Sequence, residues 1–234
     1  MRINTPLVDA PLVENLFIMR TPDVPAGEYG AAVQAVRQMV ALSNSSLKLT
    51  DWDVWRAPNY LQNGKLVPHQ SAEWYVASGY NSVRRQFDTD IIMYHLLEDP
   101  YQKSLAHFDI IITSADLFST THRVNFALGM AVPYRAALIS TFRFKETGQY
   151  KLECIAQETY HETGHVLGLP NAQRTDLVQS LGNHCPNPCA MKQGLSVPLD
   201  WVAMVKERQK SKNILCPTCL NDLRSISKLV RRGR

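Results

Sequence analysis

Long apolar runs are missing from this 234-residue sequence, as are internal repeats and low-complexity tracts. No stretch approaches the roughly 18 uninterrupted apolar residues that a membrane-spanning helix requires. The N-terminal segment also lacks the pattern of a secretory signal, because Pro6, Asp9, Pro11 and Glu14 interrupt it. We therefore expect no membrane partner, and we predict a cytoplasmic location.

Cysteine is scarce and odd in number. Four of the five cysteines form two close pairs, Cys185 with Cys189 and Cys216 with Cys219. This spacing is more typical of metal ligands than of disulfides, so we predict reduced thiols. Four thiolates suit a tetrahedral structural zinc ion, while two disulfides or unpaired core thiols are the alternatives. The fifth, Cys154, is predicted to pack in the core.

Charge excludes little, because the formal net charge is only +4. After residue 204, however, nine basic residues face only two acidic ones. A basic tail of this kind can contact nucleic acid or anionic lipid. No aromatic platform or nucleic-acid-binding motif accompanies it, so we prefer a solvated helix and do not expect a nucleic-acid partner.

Hydrophobic periodicity predicts alternating strands and helices, which indicates an α/β class. The predicted elements are a strand at 16–19, a helix at 26–42, a half-buried strand at 47–55, a loop-rich segment at 57–80, a helix at 83–98, a covered strand at 107–113, strands at 125–132 and 136–144, and helices at 150–167 and 198–211. Gly168 and Pro170 are predicted to end the 150–167 helix.

That helix carries the sequence His161-Glu162-Thr163-Gly164-His165. Positions four apart share one helical face, so two imidazoles can reach one metal ion. Zinc with three protein ligands activates water, and a neighbouring carboxylate removes the proton, which makes Glu162 the predicted general base. The alternative is a solvated helix with surface histidines. Gly164 argues against it, because glycine within a helix costs ~1 kcal/mol relative to alanine and is better explained by a close approach.

The residues from His161 to Gly168 resemble the start of the metzincin signature HExxHxxGxxH, although Asn171 stands where the third histidine is expected. The sequence downstream is similar to that of the archaemetzincins, whose signature continues with a histidine, two cysteines, a methionine and a later CxxC motif. The matching residues here are His184, Cys185, Cys189, Met191, Cys216 and Cys219. The resemblance covers roughly residues 105–220.

The resemblance implies two zinc ions per chain. The catalytic zinc would be bound by His161, His165 and His184 above a turn that contains Met191, and the structural zinc by Cys185, Cys189, Cys216 and Cys219. The chain departs from the signature by an insertion at 171–183, which would form a wall or a lid of the cleft. Asp176 is the alternative third ligand, because a carboxylate can replace a histidine.

The resemblance also implies an α/β (α+β) metzincin-like zincin fold, with a twisted mixed sheet, a long active-site helix and a small irregular C-terminal subdomain. Residues 1–168 would form the catalytic part and residues 169–234 the C-terminal part. The expected function is zinc-dependent hydrolysis of peptides or proteins, with the substrate extended along residues 125–131. The alternative is a non-catalytic zinc protein that binds a peptide or nucleic acid through a degenerate cleft.

Two tyrosines, Tyr134 and Tyr160, are candidates to stabilise an oxyanion near the cleft. The remaining histidines have no partner at ligand spacing, and we interpret them as structural or surface residues: His69, His95, His107 and His122.

Overall fold

The computed structural model of the protein describes residues 13–55, 59–62, 65–68, 70–104 and 106–232. The first half contains β1 (Asn15–Arg20), α1 (Ala26–Ser43), β2 (Lys48–Asp53), β3 (Asn59–Gln62), β4 (Lys65–Pro68), α2 (Ala72–Ser78), β5 (Tyr80–Asn81), β6 (Gln86–Asp88), α3 (Thr89–Glu98) and α4 (Pro100–Ser104). The second half contains β7 (His107–Thr113), β8 (Leu117–Ser119), β9 (Val124–Ala127), β10 (Gly129–Val132), β11 (Ala136–Ser140), a 3₁₀ helix (Phe142–Tyr150), α5 (Lys151–Val166), β12 (Val178–Gln179), β13 (Asn183–His184), α6 (Leu199–Ser211) and α7 (Pro217–Arg232).

Five strands form the central sheet, in the order β10-β11-β7-β1-β2. Four of them are parallel, and the edge strand β10 runs antiparallel to β11. Every residue of β7 is buried, as expected for a parallel strand covered on both faces. The sheet is therefore mixed, and its antiparallel edge lies beside α5.

Alternate residues of these strands enter two different core layers, because successive side chains point to opposite faces of a sheet. On one face, Ile18 and Ile110 pack with α1 and α5. On the other face, Phe17 and Ile111 pack with residues of α2, α3 and α4. These layers confirm the predicted mixed α/β architecture with a long helix, α5, beneath the sheet.

Four predicted elements differ from the structure. The predicted helix at 83–98 is wrong in its first part, because residues 86–88 form the strand β6. The helix α3 begins only at Thr89, after Asp88, whose side chain caps it by accepting a hydrogen bond from the Asp90 N–H. The 125–132 strand is two strands in different sheets, since β9 joins the sheet β5-β6-β8-β9. The 136–144 strand ends at Ser140, where the 3₁₀ helix follows. The 57–80 segment contains α2 and the β3–β4 hairpin, although residues 57, 58, 63, 64 and 69 lie outside the described ranges.

After α5 the chain has little regular structure until α6 and α7. Trp201 of α6 and Leu223 of α7 join the same core layer as α1 and α5. The division of the chain at residue 168 therefore stays a prediction, because this layer includes residues from both sides of it. Within the described part of the chain, no helix has the length and apolarity needed to cross a bilayer.

Candidate metal centres

Helix α5 presents two imidazoles to one point. His161 Nε2 and His165 Nε2 lie 3.1 Å apart. The other ring nitrogen of each contacts a backbone carbonyl at 2.8 Å, His161 Nδ1 that of Ala190 and His165 Nδ1 that of Leu169. A carbonyl only accepts, so both Nδ1 atoms carry the proton and both Nε2 lone pairs are free.

The third imidazole comes from the short strand β13. Pairing of Val178 with His184 in the β12–β13 ladder brings His184 over α5, with its ring centroid 5.1 Å from that of His161 and 5.3 Å from that of His165. The ligand nitrogens of the three histidines lie within 4.8 Å of one another. Asp176, the alternative third ligand, is instead bound by the Arg174 guanidinium at 2.7 and 2.8 Å. The structure brings His184, and not Asp176, to the other two histidines.

The donor set fits a divalent cation. Two bare Nε2 lone pairs at 3.1 Å repel each other unless a cation lies between them. Tetrahedral zinc with bonds of ~2.0–2.1 Å would separate its nitrogen ligands by roughly 3.3–3.4 Å. Burial lowers the pKa of His165 to about 4 and also lowers the pKa of His161 and of His184. All three are therefore neutral near pH 7, which is the form that binds metal.

Glu162 lies in a buried carboxyl pair with Glu158, a residue that the sequence reasoning missed. Burial raises the pKa of Glu162 to about 8, and the hydrogen bond with Glu158 lowers it. Burial, and then the charge of Glu162, hold the pKa of Glu158 well above its usual range. Glu158 thus keeps its proton and donates a hydrogen bond to Glu162. The two residues are four positions apart on one helical face, a spacing visible in the sequence.

Gly129, the first residue of β10, packs directly on this pair. A methyl group at position 129 would lie 2.7 Å from Glu158 Oε1 and 2.8 Å from Glu162 Oε1. The absence of a side chain therefore lets the edge strand approach the carboxylates. Sequence reasoning placed Gly129 only within the expected substrate-binding segment 125–131.

Met191 lies beneath the histidine cluster. Its side chain is fully buried, and its sulfur occupies the space that a Cβ at Gly164 would need. The turn at Ala190 and Met191 contacts one residue of each cluster. The Ala190 carbonyl accepts a hydrogen bond from His161, and the Met191 carbonyl accepts one from the Cys185 N–H at 2.8 Å. The close approach inferred from Gly164 is thus the approach of Met191.

The four paired cysteines form the second cluster. Their sulfur atoms lie within 4.8 Å of one another, with Cys185 and Cys216 at 3.7 Å and Cys189 and Cys219 at 3.8 Å. A tetrahedral zinc ion with Zn–S bonds of ~2.3 Å would separate its sulfurs by roughly 3.8 Å. All four thiols are free and buried, so the geometry fits one zinc ion and not two disulfides. Within the described residues, these two clusters are the groups of histidine, cysteine and acidic residues that could hold a metal.

The remaining candidates lie in different surroundings. Tyr134 packs on Gly168 at the end of α5, whereas the Tyr160 hydroxyl donates to Gln38 of α1. Cys154 is fully buried in the core, as predicted. His107 is buried beside Asp109 and His95 packs on Trp74, which agrees with structural roles. His122 is exposed, and His69 lies outside the described ranges.

Together, the mixed α/β fold and the two clusters resemble those expected of a metzincin-like metalloprotein. No family model matches the chain. The sequence is 32% identical over 120 residues to a protein named Archaemetzincin from Nanoarchaeum equitans; the match covers 51% of this chain and 56% of that protein's length. The chain is thus similar to an archaemetzincin, and the match spans about half the length of that relative.

Two solved structures share the fold. The archaemetzincin of Methanopyrus kandleri is 21% identical with a TM-score of 0.60, over 94% of this chain and 99% of that one. A zinc-dependent peptidase from Methanocorpusculum labreanum is 18% identical with a TM-score of 0.54, over 89% and 99%. The likeness extends over nearly the whole of both structures, so the predicted zincin fold is confirmed.

Proposed function

We propose that this protein is a zinc-dependent peptidase that hydrolyses peptide bonds in peptides or proteins. One observation carries the proposal: His161, His165 and His184 converge with free ligand atoms, and Glu162, which follows His161 on the same helix, has its carboxyl buried under an edge strand. The relatives named archaemetzincin and zinc-dependent peptidase support this reaction class.

The three histidines would hold the catalytic zinc. Such an ion lowers the pKa of a bound water and polarises the carbonyl of the peptide bond. Glu162 acts as the general base: as a carboxylate, the form that a neighbouring divalent cation favours, it accepts the proton of the attacking water and passes it to the leaving amine. Glu158 holds Glu162 in place by donating a hydrogen bond to it.

The substrate would bind along β10. This strand forms the edge of the central sheet, so an extended peptide can pair with its backbone by β-strand addition. The sheet topology favours Gly129–Val132 over the wider 125–131 segment, because β9 belongs to another sheet. Gly129 then places the peptide backbone next to Glu162.

The four cysteines would hold a second, structural zinc, which gives two zinc ions per chain. Their thiols must stay reduced for this, so we also propose a reducing compartment such as the cytoplasm. Removing this zinc should loosen the turn around Met191, because Cys185 donates its backbone N–H to that turn.

Replacement of Glu162 by glutamine tests the mechanism. The zinc-loaded wild type and Glu162→Gln are compared on a peptide library, with zinc measured by elemental analysis and Glu153→Gln on the same helix as the matched control. We expect Glu162→Gln to retain two zinc ions per chain and to lose at least ~10²-fold in rate, the lower range for one general base. The control should keep its rate.

Two results would contradict the proposal. Unchanged hydrolysis in Glu162→Gln would remove Glu162 from the mechanism. If neither the wild type nor a variant cleaves any peptide although both zinc ions are bound, the non-catalytic interpretation replaces the peptidase interpretation.

A further inference from the structure

The insertion at 171–183 contacts the cysteine cluster through the side chain of Arg174. We propose that Arg174 is a positioning residue that ties this insertion to the four thiolates, so that metal bound at the cysteines helps to hold His184 at the histidine site. The inference rests on the proposed zinc sites, but not on peptide hydrolysis.

Arg174 contacts the cluster directly. Its Nη1 donates to Cys219 Sγ at 3.3 Å, and its Nη2 donates to Cys185 Sγ at 3.7 Å. Only 9% of the side chain is exposed, although the residue lies on a loop between two exposed neighbours, Gln173 and Thr175. A cation buried on a surface loop requires negative partners, since an unpaired buried charge is strongly unfavourable.

Two carboxylates complete the surroundings of the guanidinium. Asp176 accepts from Nε and Nη2, and Asp222 of α7 lies 3.5 Å from Nη1. The planar fork of arginine donates to Asp176 and to two sulfurs at once while its charge faces Asp222, an arrangement that the single ammonium of lysine cannot reproduce. Arg174 is therefore fitted to this position by shape as well as by charge.

Metal at the cysteines would change what Arg174 faces. Four thiolates around a divalent cation leave an excess of two negative charges, whereas four neutral thiols are only weak acceptors. The guanidinium is thus held more strongly when the cluster binds metal. Asn187 adds further donation, from Nδ2 to Cys185 Sγ at 3.6 Å and to Cys216 Sγ at 3.8 Å.

The route from Arg174 to His184 is short. Asn171, at the position of the missing third histidine, begins a turn in which its side chain accepts from the Gln173 N–H and its carbonyl accepts from the Arg174 N–H. Beyond Arg174, the insertion forms β12, which pairs with β13 and so supports His184. The buried ring of His184 also lies against the backbone of Ser180 and Gly182, which belong to the insertion. Its position therefore depends on the backbone that the insertion supports.

The test uses full-length protein loaded with Co²⁺, because thiolate-to-cobalt charge-transfer absorption reports the cysteine site separately from the histidine site. Wild type, Arg174→Gln, Arg174→Lys and the exposed-loop control Gln173→Ala are titrated with a chelator. Loss of an outer partner typically lowers metal affinity ~10–100-fold. We expect both arginine variants to lose at least ~10-fold in Co²⁺ affinity at both sites, and the control to match the wild type.

Several outcomes would overturn the proposal. If Arg174→Gln binds Co²⁺ with wild-type affinity at both sites, Arg174 supports neither site. If only the cysteine site is weakened, the coupling to His184 is disproved. Restoration by Arg174→Lys would contradict the argument from the fork. If circular dichroism shows that Arg174→Gln does not fold, Asp176→Asn replaces it in the test. This substitution weakens the hold of the exposed Asp176 on the guanidinium, and it must show the same loss of Co²⁺ affinity at both sites. Absence of Co²⁺ from the wild-type histidine site would instead refute the proposed function.

Discussion

A single methyl group at Gly129 should separate catalysis from metal binding. Gly129 begins the edge strand β10 and touches both buried carboxyl groups, but no histidine of the cluster is among its nearest neighbours. Its φ is outside the left-handed region, so alanine meets no backbone strain at this position. The effect of Gly129→Ala must therefore come from contacts with Glu158 and Glu162.

The size of the effect follows from those contacts. The added methyl would lie 2.7 Å from Glu162 Cγ and 2.8 Å from Glu162 Oε1. Ordinary contacts between carbon atoms begin at about 3.5 Å, so the carboxyl group must move by roughly 0.7 Å. A displacement of ~1 Å at a catalytic group can reduce a rate ~10²-fold. We also expect the crowded core to lose ~1–3 kcal/mol of stability.

The assay compares peptide hydrolysis, zinc content and denaturant unfolding in Gly129→Ala and in the control Gly30→Ala. A Cβ at Gly30 of α1 meets no atom within 4 Å, so the control should gain up to ~1 kcal/mol from helix propensity and keep its activity. Gly129→Ala should retain both zinc ions and lose about 10²-fold in kcat. Full activity in Gly129→Ala would refute the placement of Glu162 against β10, and a loss of zinc would show that the histidines, and not the carboxylates, had moved.

Three further measurements test the metal sites. His184→Ala should reduce the zinc content from two ions per chain to one, and a content that stays at two would exclude the three-histidine site. Gly164→Ala places a methyl group against the Met191 sulfur, so overpacking of ~1–3 kcal/mol should exceed the ~1 kcal/mol gained in helix propensity; a net gain of stability in urea unfolding would refute the packing of Met191 beneath α5. In metal-free protein, His165 is protonated below about pH 4 when folded but already below about pH 6.5 when unfolded. Wild type should thus lose up to ~3 kcal/mol relative to His165→Gln as the pH falls from 6.5 to 4, and parallel curves would contradict the burial of this imidazole.

Ligands with fixed local spacing could be predicted from the sequence. His161 and His165 are four residues apart on a helix, so helical geometry alone places them together. The spacing within each cysteine pair likewise predicted the thiolate cluster. In these cases, the ligand geometry depends on only a few backbone torsions.

The third histidine could not be located by spacing. The path of the insertion between Asn171 and His184 depends on the β12–β13 ladder and on contacts with α7, and neither has a periodic signal. Arg174 was missed for the same reason, since a lone arginine in a polar loop resembles any solvated residue. Glu158 could have been found, because it lies one helical turn before Glu162.

The segment from 167 to 198 explains why two metal sites lie so close together. Its regular structure is limited to β12 and β13, with two residues each, yet it carries His184, Met191 and the first cysteine pair. Ordering a residue costs ~1–2 kcal/mol, and a segment with so few ladder hydrogen bonds recovers little of that. Metal bound by Cys185 and Cys189 would join the segment to Cys216 and Cys219 near α7, and so supply the missing constraint. With metal bound, the cysteine cluster would thus position the third histidine as helix α5 positions the first two.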